Sequence, residues 1–168
     1  RLWGIAAVFN WTVAAVLWPY LIGLSILTMV IAAFYFRMDR SHLKDHQVEA
    51  GVDNPLELKV AFIFAGLFVI MTILTQFVTH YFGDSGLKYL SALVGFTDID
   101  PFVLSLLNGD YLANANVLAG AILIAAGSNN LLKAVYAFVL SEPKTARFSA
   151  GWLSALGLLT ITLGWLFI

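Results

Sequence analysis

The sequence predicts an all-α, polytopic integral membrane protein with about five to six membrane segments, one of them broken or re-entrant near residues 95–101. Three observations predict it. Hydrophobic side chains make up 61% of the chain and charged ones only 11%, against roughly 45–50% and 25% in soluble domains. Charge is also segregated: residues 2–36, 60–83, 111–132 and 148–168 carry none, whereas nine charged residues lie between Arg37 and Lys59. Uncharged runs of that length can cross a bilayer, because about 20 helical residues span a hydrocarbon core of about 30 Å. Finally, polar residues interrupt two apolar runs, at Thr97-Asp98-Ile99-Asp100 and at Ser128-Asn129-Asn130. The whole of 1–168 is read as a single transmembrane helical domain.

The elements follow in order. Residues 2–36 are too long for one span and contain Asn10 and Pro19. A first helix is expected to end near Leu17 and a second to run from Pro19, at the first helical position where a missing N–H does no harm, to about Phe36. A charged, solvated loop covers 37–54. Asn54-Pro55 then caps a third helix that continues to Phe82, where Gly83 stops it. Residues 85–108 read as a broken segment. A short helix ends at Gly95, the chain opens over Thr97–Asp100, and Asp100-Pro101 restarts a helix that Asn108-Gly109 ends. This segment either crosses once or re-enters as a hairpin whose arms reach halfway, and irregular backbone at that depth requires cover from protein or a wet cavity. Residues 114–140 and 147–168 supply two further spans.

Orientation follows from Lys and Arg in the loops. A re-entrant hairpin puts Arg37, Arg40 and Lys44 on the same side as Lys144 and Arg147, which would be cytoplasmic; a crossing segment leaves the two loops on opposite sides.

Composition excludes several functions. A net charge of -1 with interleaved signs offers no basic surface for a phosphate backbone, so nucleic acid is not an expected partner. The chain has no cysteine, hence no disulfide, thiolate metal site or cysteine nucleophile. No hydrolase elbow, zinc-protease or phosphate-loop pattern occurs, and an enzyme is not expected. Opening on Arg1 without a signal-peptide pattern, the chain reads as a processed product or an excised part of something longer.

Three polar features could carry chemistry. Asp98 and Asp100 sit inside an apolar run, where an ionised carboxylate needs a partner, water or an ion. Capping accounts for one of them: Asp100 precedes Pro101, and Thr97 or Asp98 can satisfy the open turn after Gly95. The other reading is a proton or hard-cation site, with Asp98 and Asp100 as metal ligands alongside freed backbone carbonyls. In the second feature, Asn129 and Lys133 stand four apart on one helix face, with Ser128 beside them and Asn130 about 100° round. They either glue helices together and snorkel, or turn inward to meet Asp98 or Asp100. The third is a stripe on the 55–82 helix, Thr72, Thr75, Gln76, Thr79 and His80, continued by Asp84. It reads as interhelical hydrogen bonding or as a polar path towards the aspartates. His42 and His46, four apart, fit a helical metal pair or plain solvent exposure.

The stretches NPLELKVAFIFAGLFV (54–69), YFGDSGLKYLSALVGFTDIDPFVLSL (81–106) and AGSNNLLKA (126–134) resemble a bacterial membrane domain filed as domain of unknown function 4010. The shared elements are NP-x-EL-K, Y-x-GD-x-GL, a TD-x-D break and SN-x-x-K, with Val-Gly-Phe-Thr here where Ser-Gly-Leu-Thr is common. By position, the resemblance marks Asn54, Glu57, Lys59, Asp84, Thr97, Asp98, Asp100, Ser128, Asn129 and Lys133. That domain typically follows an MgtC/SapB-type membrane domain, so the resemblance implies cation homeostasis, with Mg²⁺ or a coupled H⁺ as the ion. It further implies a multi-pass place in the bacterial inner membrane, and an MgtC-like domain or a second copy of the chain as partner besides lipid. No cofactor beyond a bound divalent cation is expected. The alternative function is a non-transporting regulatory or structural subunit that binds a partner protein.

Overall fold

The structure is a computed structural model and describes residues 2–38, 58–109, 114–140 and 143–168. It is all-helical over these residues: α1 (Leu2–Phe9), α2 (Trp11–Met38), α3 (Leu58–Val94), α4 (Asp100–Asn108), α5 (Ala115–Leu140) and α6 (Pro143–Trp165). Four helices are long and apolar enough to cross a membrane, over Trp11–Phe34, Ala61–Val94, Ala115–Leu140 and Phe148–Trp165. That is fewer than the five to six segments expected, because α1 has only 8 residues and α4 only 9. At 1.5 Å per residue neither reaches across a bilayer.

The first break lies at Asn10 and not at Pro19. The Asn10 side chain accepts the Val13 N–H at 3.2 Å, which starts α2, while its own N–H still donates to the Ala6 carbonyl at 2.7 Å. Pro19 falls inside α2. A membrane helix absorbs one missing N–H, so the side-chain cap outweighs the proline as a boundary signal.

Gly83 ends the first limb of α3, as the sequence suggests, but the second limb follows without a loop. Its backbone is at φ 59°, ψ -151°, a conformation essentially reserved for glycine. The resulting corner is sharp. A Cβ on Gly86 would stand 3.2 Å from the Val78 carbonyl oxygen, although eight residues of straight helix cover about 12 Å.

This corner fixes the direction of α4. The second limb, 84–94, carries the chain about 16 Å away from Gly83, whereas Thr75 is only about 12 Å from Gly83 along the first limb. Yet Ser105 Oγ on α4 lies 3.4 Å from Thr75 Oγ1. Helix α4 therefore turns back towards the corner after the break, and 84–108 forms a helical hairpin with its tip at 95–99. Its inner side joins the core: Leu87, Leu90, Val94, Phe102, Val103 and Leu106 are all buried.

Helices α5 and α6 run antiparallel with their backbones in contact. A Cβ on Gly127 would stand 2.7 Å from the Gly157 carbonyl, and one on Gly120 would stand 2.8 Å from that of Gly164. The two pairs are seven residues apart on each helix, about two turns, which keeps them on one face. Lys88 on the hairpin lies over the Trp165 ring at 5.2 Å, and Tyr20 of α2 meets Phe167 edge-on at 4.9 Å. The start of α2, the Gly83 corner and the end of α6 thus share one end of the bundle.

Candidate functional site

The hairpin tip is built from local hydrogen bonds. Thr97 closes the end of α3, donating both its N–H and its hydroxyl to the Val94 carbonyl at 2.8 Å. Gly95 presses on α5: a Cβ there would run into the Ser128 side chain and come 2.7 Å from the Ala125 carbonyl. That close approach explains the glycine. Asn129 then ties the tip to α5, its Nδ2 donating to the Gly95 carbonyl at 3.2 Å and, more weakly, to that of Thr97 at 3.4 Å.

Thr97 and Asp98 satisfy the turn as the sequence suggests, but the N-cap of α4 is not Asp100. Ile99 occupies the N-cap of α4, which has no side-chain cap hydrogen bond. Asp98 bonds the local backbone, its Oδ1 accepting the Asp100 N–H at 3.2 Å. Asp100 stands in the first turn of α4, where negative charge complements the helix dipole.

A cavity of about 510 Å³ opens beside the tip. The tip contributes Thr97, Asp98, Ile99 and Asp100, and α5 contributes Asn129, Asn130 and Lys133. Ser25 and Thr28 of α2 and Thr160 of α6 complete its polar wall. Its lining residues Leu24, Asn129 and Leu156 lie near the midpoints of the spans 11–34, 115–140 and 148–165. The polar break and the cavity therefore sit at mid-depth of the bundle.

Five expected site residues, Thr97, Asp98, Asp100, Asn129 and Lys133, thus face one space. Ser128 does not, being 2% exposed beneath Gly95. Asp98 and Lys133 are both exposed to this space, and among the described residues no ion pair joins them. The described residues also contain no group of three or more His, Cys, Asp or Glu side chains placed to hold a metal. A metal at Asp98 and Asp100 would take its remaining ligands from amides, hydroxyls, carbonyls or water.

The stripe on α3 goes elsewhere, and none of it lines the cavity. Thr75 is fully buried against Ser105. Thr72 donates to its own helix at Phe68, 2.8 Å away. The Thr79 hydroxyl is enclosed without a hydrogen-bond partner. Gln76, His80 and Asp84 are exposed. His42, His46, Asn54 and Glu57 lie outside the described residues.

Ser25, Thr28 and Thr160 were not among the sequence candidates. Their hydroxyls are isolated in uncharged runs, and Thr28 and Thr160 donate to carbonyls of their own helices at 2.7–3.0 Å, the ordinary behaviour of such residues in membrane helices. The three-residue spacing of Ser25 and Thr28 on one face was the only available signal.

Fold and site together define a multi-pass helical membrane protein whose broken hairpin borders an open mid-depth cavity with polar and apolar walls. The chain belongs to the family described as Domain of unknown function (DUF4010), whose pattern matches residues 1–141. It is 30% identical over 122 residues to an uncharacterised protein of Aquifex aeolicus (strain VF5), a match covering 71% of this chain and 52% of that one. The chain thus spans about half the length of that relative. No solved structure matches it.

Proposed function

We propose that the protein is a transporter that handles a cation in the mid-depth cavity, with Asp98 as the binding or protonation group. The observation that carries this reading is the cavity itself. The Asp98 carboxylate, two amides and the Lys133 ammonium around about 510 Å³ at the middle of three spans are costly unless something polar enters. The hairpin reads as re-entrant, a form of irregular backbone that membrane proteins keep where it lines a wet cavity. Asn129 and Asn130 supply neutral oxygens, and Lys133 acts as an internal cation competing for the same space. Mg²⁺ and H⁺ are the ions to test first.

Flux of Mg²⁺, Na⁺ and H⁺ into liposomes holding the full chain tests this reading directly. The expected result is flux of at least one of them in the wild type and its loss in Asp98→Asn. Absence of all three fluxes overturns it for bare ions, and an unchanged mutant overturns the role of Asp98.

A second reading, a non-transporting subunit, is favoured by one observation: Asn129 and Thr97 spend their donors on closing the tip. It expects Asp98→Asn to fold normally and to change no flux.

A further inference from the structure

Resting on the transport reading above, we infer that the cation taken by Asp98 is the ammonium group of a small zwitterion, whose carboxylate is received by Lys133. The ligand class is therefore an amino acid or a similar solute carrying one amine and one carboxylate.

Several of the backbone ligands a bare cation would use are already engaged. In broken helices that coordinate metal ions, freed carbonyls at the break replace the hydration shell. Here the Val94 carbonyl accepts both donors of Thr97, and the carbonyls of Gly95 and Thr97 accept the Asn129 amide. Facing the cavity beside them is side-chain charge of both signs, Asp98 and Lys133.

Those opposite charges do not neutralise each other. Asp98 Oδ1 accepts one backbone N–H, while Oδ2 has no hydrogen bond from the described residues. Lys133 has neither an ion pair nor a hydrogen bond among them. Both line the same cavity, and their charged groups are more than the 4.0 Å of an ion pair apart. A solute carrying the complementary pair of charges bridges such a gap, and each end then gains a charge-assisted hydrogen bond. Asn130, beside Lys133 on the wall, adds an amide donor for the carboxylate.

Size agrees. About 510 Å³ falls within the range of roughly 300–1,000 Å³ typical of sites for small organic ligands. It is many times the roughly 30 Å³ share of one water molecule, and hence far more than a dehydrated ion fills.

The test uses liposomes holding the full chain and three radiolabelled probes of increasing charge separation: glycine, β-alanine and γ-aminobutyrate. Saturable uptake of at least one probe is expected, reduced about tenfold or more by Asp98→Asn and by Lys133→Gln alike, since each removes a charged hydrogen bond. In the wild type, methylamine and acetate, each carrying half the charge pair, should compete at least about tenfold more weakly than the transported probe. This arm needs no variant to fold.

Uptake of none of the three probes overturns the inference, as does equal competition by methylamine. Metal-ion or proton flux measured in the same vesicles separates the two readings. Flux lost in Asp98→Asn but retained in Lys133→Gln, with no amino acid uptake, leaves the transport reading standing and removes the zwitterion. Absence of both activities removes both.

Discussion

Asn129 and Asp98 divide the work at the hairpin tip, and their roles make different predictions. Asn129 holds two carbonyls of the break, so Asn129→Leu leaves acceptors unsatisfied at mid-depth. That change should destabilise the fold by about 1–3 kcal/mol, seen as a lower thermal transition in detergent. Asp98 makes one local hydrogen bond to the Asp100 N–H and is otherwise exposed, so Asp98→Asn, which keeps an acceptor oxygen, should leave that transition within about 0.5 kcal/mol of wild type. A normal melting curve with altered transport is the expected signature of a functional carboxylate. At this scale the sequence was partly legible. It singled out Asp98, Asn129 and Lys133 because polar residues in apolar runs are costly wherever they occur. It expected Asp100 to cap α4, where Ile99 holds the N-cap, because which residue takes that place depends on turn geometry that composition does not encode; its expectation that Thr97 or Asp98 satisfies the turn agrees with their local hydrogen bonds. It left out Ser25, Thr28 and Thr160, because a hydroxyl in a membrane helix can always bond its own backbone and so gives no warning of what it faces.

Glycine separates contact from exposure among the helices. A Cβ on Gly127 of α5 or on Gly157 of α6 would stand 2.7–2.8 Å from the other's carbonyl oxygen, so Gly127→Val has nowhere to place its side chain. The α5–α6 pair should splay, and the yield of monodisperse protein should collapse. At Gly23 and Gly66 a Cβ meets nothing within 4 Å. Alanine at either should be neutral or stabilising by up to about 1 kcal/mol, as for helix-interior glycines generally. Gly83→Ala should instead cost about 1–3 kcal/mol, because its backbone suits glycine alone. The sequence showed Gly83 and Gly95 as interruptions, since a glycine followed by a change of texture marks a break. It did not show that the chain at Gly83 folds back on itself. Nor did it give the boundary at Asn10, because Pro19 is the louder signal in sequence and the weaker one in a membrane helix.

For the whole molecule, four candidate spans and the hairpin put the end of α2, the start of α3, the end of α5 and the start of α6 at one end of the bundle. The Gly83 corner and the end of α6 lie at the other, in keeping with the contacts of Lys88 with Trp165 and Tyr20 with Phe167. Arg37, Lys59, Lys144 and Arg147, at those helix ends, then fall on one side, the side that the positive-inside rule predicts to be cytoplasmic. Charge counts alone could not choose between crossing and re-entry; the Thr75–Ser105 contact carries that information, and it joins residues thirty apart in sequence. The central claim is that water reaches a polar cavity at mid-depth, and the absence of cysteine makes it simple to test. Single cysteines at positions 98 and 122 in sealed vesicles should respond differently to a small, charged, membrane-impermeant thiol reagent. Asp98→Cys should be modified readily, and Ile122→Cys, in the dry core at 1% exposure, should not. If position 98 resists that reagent and reacts only with a lipid-soluble one, the tip faces hydrocarbon and the cavity is not a path for polar solutes.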